Sequence, residues 1–267
     1  MKIRLLAIDL DGTLLSHDKK ISTESVEAIK AAQDAGILVV LASGRIRPSM
    51  MPFARTLGLD EGPMISGNGT HVVGPEANEL YRLHLSHELV QTIIDYATLS
   101  DLHLNLYTPD RLFFLRDTPW GDLYKSRVET VIPEILGSDV SGLEYLKAII
   151  VSDPESMAGH REKILTKIGN SQVRATESEA EYLEFMDERA TKGYAIARLA
   201  ADLGIDREET AAIGDYLNDL EMLEYAGLSG AVGNAHPTIK KVANVVVSPN
   251  DLGGVSEFIH QIVLKQH

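Results

Sequence analysis

Two apolar runs with a helical segment between them constrain this chain more than any other feature. Ile3 to Leu15 reads Ile-Arg-Leu-Leu-Ala-Ile-Asp-Leu-Asp-Gly-Thr-Leu-Leu, with no helical spacing among its apolar residues. It predicts a buried strand that delivers Asp9 and Asp11 to its carboxyl-terminal edge. Ser22 then offers an N-cap, Glu24 sits in the first turn, and Val26, Ile29, Ala32 and Ala35 recur at helical spacing until Gly36. Ile37 to Ala42 is again apolar throughout. Strand, helix, strand with both strands apolar is a βαβ unit, which implies a parallel sheet covered on both faces.

The texture changes at about residue 84. Leu102 to Leu106 alternates with period two, as does part of Leu112 to Leu115, which predicts an antiparallel sheet with one wet face. From about 188 the parallel texture resumes: Thr191 caps a helix, Ala211 to Gly214 is an apolar strand ending in Asp215, and an amphipathic helix starts at Gly254. The expected fold is α/β, a doubly wound parallel-sheet core of residues 1–83 and 188–267 with an α+β unit, 84–187, inserted into it. A chain of 267 residues can hold both.

A net charge of −14 argues against sequence-independent nucleic-acid binding, which needs clustered Lys and Arg, so an anionic ligand needs a locally positive pocket. The absence of cysteine excludes disulfides and thiolate chemistry. No apolar run approaches the roughly 20 residues of a membrane span and no charged leader precedes the first strand, so a cytoplasmic protein is expected, with neither nucleic acid nor membrane as partner.

In an open parallel sheet, ligands bind outside the carboxyl ends of the strands, where strand order reverses. Asp9 and Asp11 follow the first strand, Ser43-Gly44-Arg45 the second, Gly67-Asn68 the third, and Asp215 with Asn218 and Asp219 a later one. Each has a plain structural reading: Asp-Gly is a turn, Ser-Gly-Arg a loop, Asp215 with Asn218 a helix cap. Asp-Leu-Asp-Gly lacks the other ligands of a calcium loop. Together they bring three carboxylates, a hydroxyl, glycines and an arginine to one sheet edge.

DLDGT at 9 to 13, Ser43 ending an apolar strand, Lys192 in TKGYA, and GDYLNDLEM at 214 to 222 resemble the four ordered motifs of the haloacid dehalogenase superfamily of phosphatases. The interval between Ser43 and Lys192 holds the insertion, where the superfamily's class II caps lie. SGNGT at 66 to 70 and AVGNA at 231 to 235 are similar to the Cof-type sugar-phosphate phosphatases. The resemblance implies a Mg2+-dependent phosphatase acting on a small phosphorylated metabolite, a sugar phosphate by class, with the inserted cap setting specificity. The alternatives are a phosphosugar mutase or phosphotransferase, and a non-catalytic phosphometabolite-binding protein.

By the same resemblance, Asp9 is the nucleophile that forms an aspartyl-phosphate, and Asp11 is the acid and base, protonated at the start. Mg2+ is expected on the Asp9 carboxylate, the Asp11 backbone carbonyl and the Asp215 carboxylate. Leu10, Ser43, Gly44, Lys192 and Asn218 are expected at the phosphate, with Asp219 and Arg45 in support. Lys192 at a helix start opposes the helix dipole, which favours a functional role for it. In the insertion, residues 102–130 with Tyr107, Arg111, Phe113, Trp120 and Tyr124 are candidate substrate contacts, although an apolar sheet core explains the aromatics equally well.

Overall fold

In the computed structural model, which describes residues 2–127, 131–137, 142–169 and 172–266, the first apolar run becomes strand β1 (Leu5–Asp9), buried along its whole length. The Ser22 hydroxyl accepts from the Ser25 N–H and starts helix α1 (Thr23–Asp34), whose Ala28, Ile29 and Ala32 are buried. Strand β2 (Leu38–Ala42) returns parallel to β1, with Asp9 opposite Ala42. That register sets Ser43 beside Asp9 at the sheet edge. Helix α2 (Arg47–Thr56) leads to β3 (Met64–Ser66), parallel to β2, and β4 (His71–Val73) folds back antiparallel on β3 before β5 (Glu79–Arg82).

The chain divides into two compact units, Met1–Tyr81 with Thr191–His267, and Arg82–Ala190. The second contains α3 (His87–Leu99), β6 (His103–Tyr107), β7 (Leu112–Phe114), α4 (Pro119–Arg127), β8 (Glu134–Ile135), β9 (Lys147–Val151), α5 (Pro154–Ile168), β10 (Val173–Glu179) and β11 (Tyr182–Asp187). Its sheet runs β10-β11-β9-β6-β7-β8, antiparallel except for the β7 and β8 pair. Leu89, Val90 and Ile93 of α3 and Met157 and Ile164 of α5 share a core with Leu104, Leu106, Ile150, Leu183 and Phe185 of the sheet.

The residues between them, His103, Asn105, Tyr107, Lys147 and Glu184, take the opposite face, and all are buried rather than wet. Contacts among them offset part of the cost of that burial, and α4 covers part of the face. His103 Nε2 hydrogen-bonds Asn105 Oδ1 at 2.8 Å, His103 Nδ1 meets the Thr118 hydroxyl at 2.7 Å, and Lys147 pairs with Glu184 at 3.3 Å. The Tyr107 and Tyr124 hydroxyls hydrogen-bond each other, and a Cβ on Gly121 of α4 would stand 3.1 Å from the His103 ring. Period two therefore predicts which residues are polar, and the neighbours decide which are exposed. Phe113 belongs to the apolar core, Arg111 forks onto Glu134, and positions 128–130 of the candidate contact stretch lie outside the described residues.

The chain then completes the first sheet through α6 (Lys192–Asp202), β12 (Thr210–Gly214), α7 (Leu220–Tyr225), β13 (Leu228–Ala231), α8 (Pro237–Val242), β14 (Val245–Val246) and α9 (Gly254–Glu257). Strand order is β14-β13-β12-β1-β2-β3-β4-β5, with β12 parallel to β1. From β1 the chain steps one way through β2 and β3, and later the other way through β12, β13 and β14. The reversal falls between β1 and β12, and a crevice is expected there at the carboxyl ends. Among the described residues, no helix is long and apolar enough to cross a membrane.

Candidate active site

Asp9 ends β1, and its carboxylate is almost entirely buried at the reversal point. Asp9 Oδ1 lies 2.6 Å from Lys192 Nζ, while Asp9 Oδ2 has no hydrogen-bond partner among the described residues. Lys192 is the first residue of α6, which Thr191 caps by accepting from the Tyr194 N–H at 2.9 Å. Its side chain is 0% exposed, and Nζ also lies 2.6 Å from Asp219 Oδ1. Asp219 Oδ2 accepts from the N–H groups of Asp215 and Tyr216 at 2.9 and 3.1 Å. Both Asp219 oxygens are thus committed, one to the ammonium and one to the loop after β12.

Asp215 reaches the same crevice from β12, and its Oδ1 accepts from the Thr13 hydroxyl at 3.1 Å. Gly12 makes this approach possible. Its φ is +82°, and a Cβ there would fall 2.4 Å from Asp215 Oδ2, so only glycine fits.

Oxygens of Asp9, Asp215 and Asp219 all lie within 4.8 Å of one another. Burial, followed by the charges of Asp219 and Asp215, pushes the Asp9 carboxyl well up against the opposing pull of Lys192. Burial and the Asp219 charge likewise push Asp215 up to about 6, despite the Thr13 hydrogen bond and Lys192. With Asp219 committed, the unpartnered Asp9 Oδ2 and the Asp215 carboxylate are hard oxygen donors that fit a divalent cation of the magnesium type.

A thermal measurement tests that fit. Asp215 is raised above the usual carboxylate range, so without a cation its contribution to stability is full at low pH and is lost as pH rises through about 6. A cation between the carboxylates reverses the loss, but protons compete with it below that pH. Saturating Mg2+ is expected to raise Tm at pH 7.5, by the equivalent of about 2.7 kcal/mol at a hundredfold excess over Kd. The increment should shrink markedly at pH 5; an equal increment at both pH values would exclude these carboxylates as ligands.

Asp11 points elsewhere. Arg45 Nε and Nη2 grip its carboxylate at 2.6 and 2.8 Å, and Lys19 Nζ adds a contact at 2.8 Å. Burial raises the Asp11 carboxyl, but Arg45 and then Lys19 outweigh it and hold it at about 2. Cations separate the two carboxylates: two grip Asp11, whereas one lysine serves Asp9 amid two further carboxylates, so the proton expected on Asp11 requires Arg45 and Lys19 to be drawn away first.

Ser43 Oγ accepts from the Arg45 N–H at 3.1 Å, which leaves the serine proton for an acceptor in the crevice. The Leu10 side chain is buried in the core, so any ligand contact it makes is through its backbone. Asn218 lies on an exposed turn and donates from Nδ2 to Asn68 Oδ1 at 3.0 Å. Sequence reasoning gave no role to Thr13, Lys19, Asn68 or Asn234, whose Nδ2 donates to the Gly12 carbonyl at 2.8 Å. Thr13, Asn68 and Asn234 lay inside quoted motifs and were accessible to it. Lys19 stands in a loop without any pattern.

The family model for haloacid dehalogenase-like hydrolases matches residues 6–259. The Bacillus subtilis (strain 168) protein YxeH is 32% identical over 98% of both chains. The 5-amino-6-(5-phospho-D-ribitylamino)uracil phosphatase YwtE of the same organism is 29% identical over 99% of this chain and 100% of its own. A crystal structure of a haloacid dehalogenase-like hydrolase from Bacteroides thetaiotaomicron superposes with a TM-score of 0.90 at 28% identity, covering 98% of this chain and 100% of that one.

Proposed function

Since this chain belongs to the haloacid dehalogenase-like hydrolases and is a phosphoric monoester hydrolase, we propose that it removes phosphate from a small phosphorylated metabolite, a sugar phosphate by class, through an aspartyl-phosphate on Asp9 and with Mg2+ as cofactor. One observation supports this reading above the others. Asp9 Oδ2 is buried and unpartnered beside a fully buried ammonium, so this carboxylate keeps binding capacity that the fold itself does not use. Its other oxygen is held by Lys192, so the carboxylate is oriented by the fold before substrate arrives.

Asp9 and Asp215, with the Asp11 carbonyl as expected third ligand, would hold the divalent cation, which would supply the positive charge that lets two anions meet. Ser43, the Gly44 N–H, Lys192 and Asn218 are assigned to the phosphoryl oxygens, where donors stabilise the charge of the transition state. Asp11 is assigned to protonate the leaving oxygen and then to take a proton from the attacking water. To do so its carboxyl must leave Arg45 and Lys19, and an incoming phosphate dianion competes with it for those cations. Choice among leaving groups is assigned to the α+β unit.

Inorganic phosphate release from a panel of sugar, polyol and cofactor phosphates, with Mg2+ and with excess EDTA, tests the function. The expected result is release from at least one sugar phosphate, lost in EDTA and restored by Mg2+. Isomerised product without free phosphate would replace the hydrolase with a mutase, and activity that survives EDTA would remove the cation from the proposal.

A further inference from the structure

The SGNGT motif carries no role in the chemistry above, yet the Gly67-Asn68-Gly69 turn touches three of its four segments. Asn68 adopts φ +56° and ψ 28°, a left-handed conformation that costs energy for a residue with a Cβ. From it, the Asn68 N–H donates to the Ser43 carbonyl at 2.9 Å and the Gly67 N–H to the Arg45 carbonyl at 2.8 Å. These two bonds hold the backbone on either side of Gly44. A Cβ on Gly44 would meet the Asn68 amide at 3.2 Å, so the side chain lies directly over the peptide expected to bind phosphate.

The second segment is reached through the Asn68 side chain. Its Oδ1 accepts from Asn218 Nδ2 at 3.0 Å, across 150 positions of sequence, and so orients an exposed amide. The third is the start of α6. A Cβ on Gly69 would fall 2.4 Å from the Thr191 carbonyl and 3.2 Å from the Ala195 Cβ, so glycine alone lets the turn seat against the residue that caps the Lys192 helix.

We propose that Asn68 is a positioning residue for phosphate, holding the Asn218 amide and the Ser43-Gly44 backbone in one binding geometry from a strained turn. The inference rests on the phosphatase reading and extends it to a residue that does not itself react. An asparagine serves here because it tolerates the left-handed region better than most residues and its amide offers an acceptor to Asn218 while lying flat against Gly44.

Asn68→Gly tests it, because glycine keeps the backbone conformation without strain and removes only the amide. Steady-state kinetics, competitive inhibition by inorganic phosphate and Tm are measured for wild type, Asn68→Gly, Asn218→Ala and the double variant. The expected result is a rise of about tenfold in KM and in the phosphate inhibition constant for each single variant, with smaller changes in kcat and an unchanged or higher Tm for Asn68→Gly. The double variant should be no worse than the poorer single variant, since both remove one coupled contact. KM and phosphate inhibition within twofold of wild type in Asn68→Gly, or effects that multiply in the double variant, would overturn the positioning role. A wild-type protein that releases no phosphate would instead overturn the phosphatase reading.

Discussion

Asp9→Asn is expected to lower kcat for phosphate release by about four orders of magnitude or more, because an amide oxygen is a poor nucleophile toward phosphorus and the other carboxylates of the site are each held in a different role. Asp215 accepts from Thr13, Asp219 has both oxygens committed, and Asp11 is gripped by Arg45 and Lys19. The fold should survive the change. Lys192 keeps Asp219 as its partner, and the repulsion that pushes Asp9 up disappears with the charge. Phosphate release by single turnover, with Tm on the same samples, checks the prediction. Activity within tenfold of wild type would remove Asp9 as nucleophile, and a collapsed Tm would show that the carboxylate is needed for folding.

The parts of this site that sequence reasoning reached share one property: each is fixed by where a strand ends. Asp9, Ser43 and Asp215 follow apolar runs whose burial leaves no freedom of register, so their meeting at one edge follows from the parallel sheet. Lys192 was legible for a different reason, since its charge is wrong for a helix start and so demands a partner. What was not legible depends on reach and on neighbours. Nothing local announces that Lys19 folds back onto Asp11, or that Asn68 and Asn218 meet, because a long side chain or a loop-to-loop contact leaves no period in the sequence. The buried polar face of the second sheet shows the same limit. Alternation identifies His103 and Asn105 as one face, but whether water or α4 lies over it is a property of packing.

The cation partners of Asp9 and Asp11 were likewise beyond the motif. Both carboxylates stand two residues apart at one strand end, yet the cations within reach differ: Arg45 and Lys19 for Asp11, a shared Lys192 for Asp9. That difference makes Lys192 the residue on which the buried charge of the site depends.

Lys192→Met is therefore expected to be the most destabilising single change at the site. The lysine is wholly buried, and Nζ sits 2.6 Å from both Asp9 and Asp219, so removing it strands two carboxylates in a low-dielectric interior. Breaking a buried ion pair by deleting one partner costs about 3–5 kcal/mol, which for a chain of this size corresponds to a Tm lower by roughly 10 °C. Burial already raises the Asp9 carboxyl, and losing its cation raises it further. A carboxyl raised in the folded state contributes stability at low pH and loses it as pH rises, so the deficit of the variant should be large at pH 8 and small at pH 5. Magnesium should return part of the lost Tm at pH 8, because it supplies positive charge beside Asp9, while leaving kcat low for want of the ammonium at the phosphoryl group. Thermal melts of both proteins across this pH range, with and without Mg2+, separate the outcomes. A deficit independent of pH would mean that Lys192 stabilises the fold through the packing of its methylenes, and the charge balance drawn among Asp9, Lys192 and Asp219 would fail.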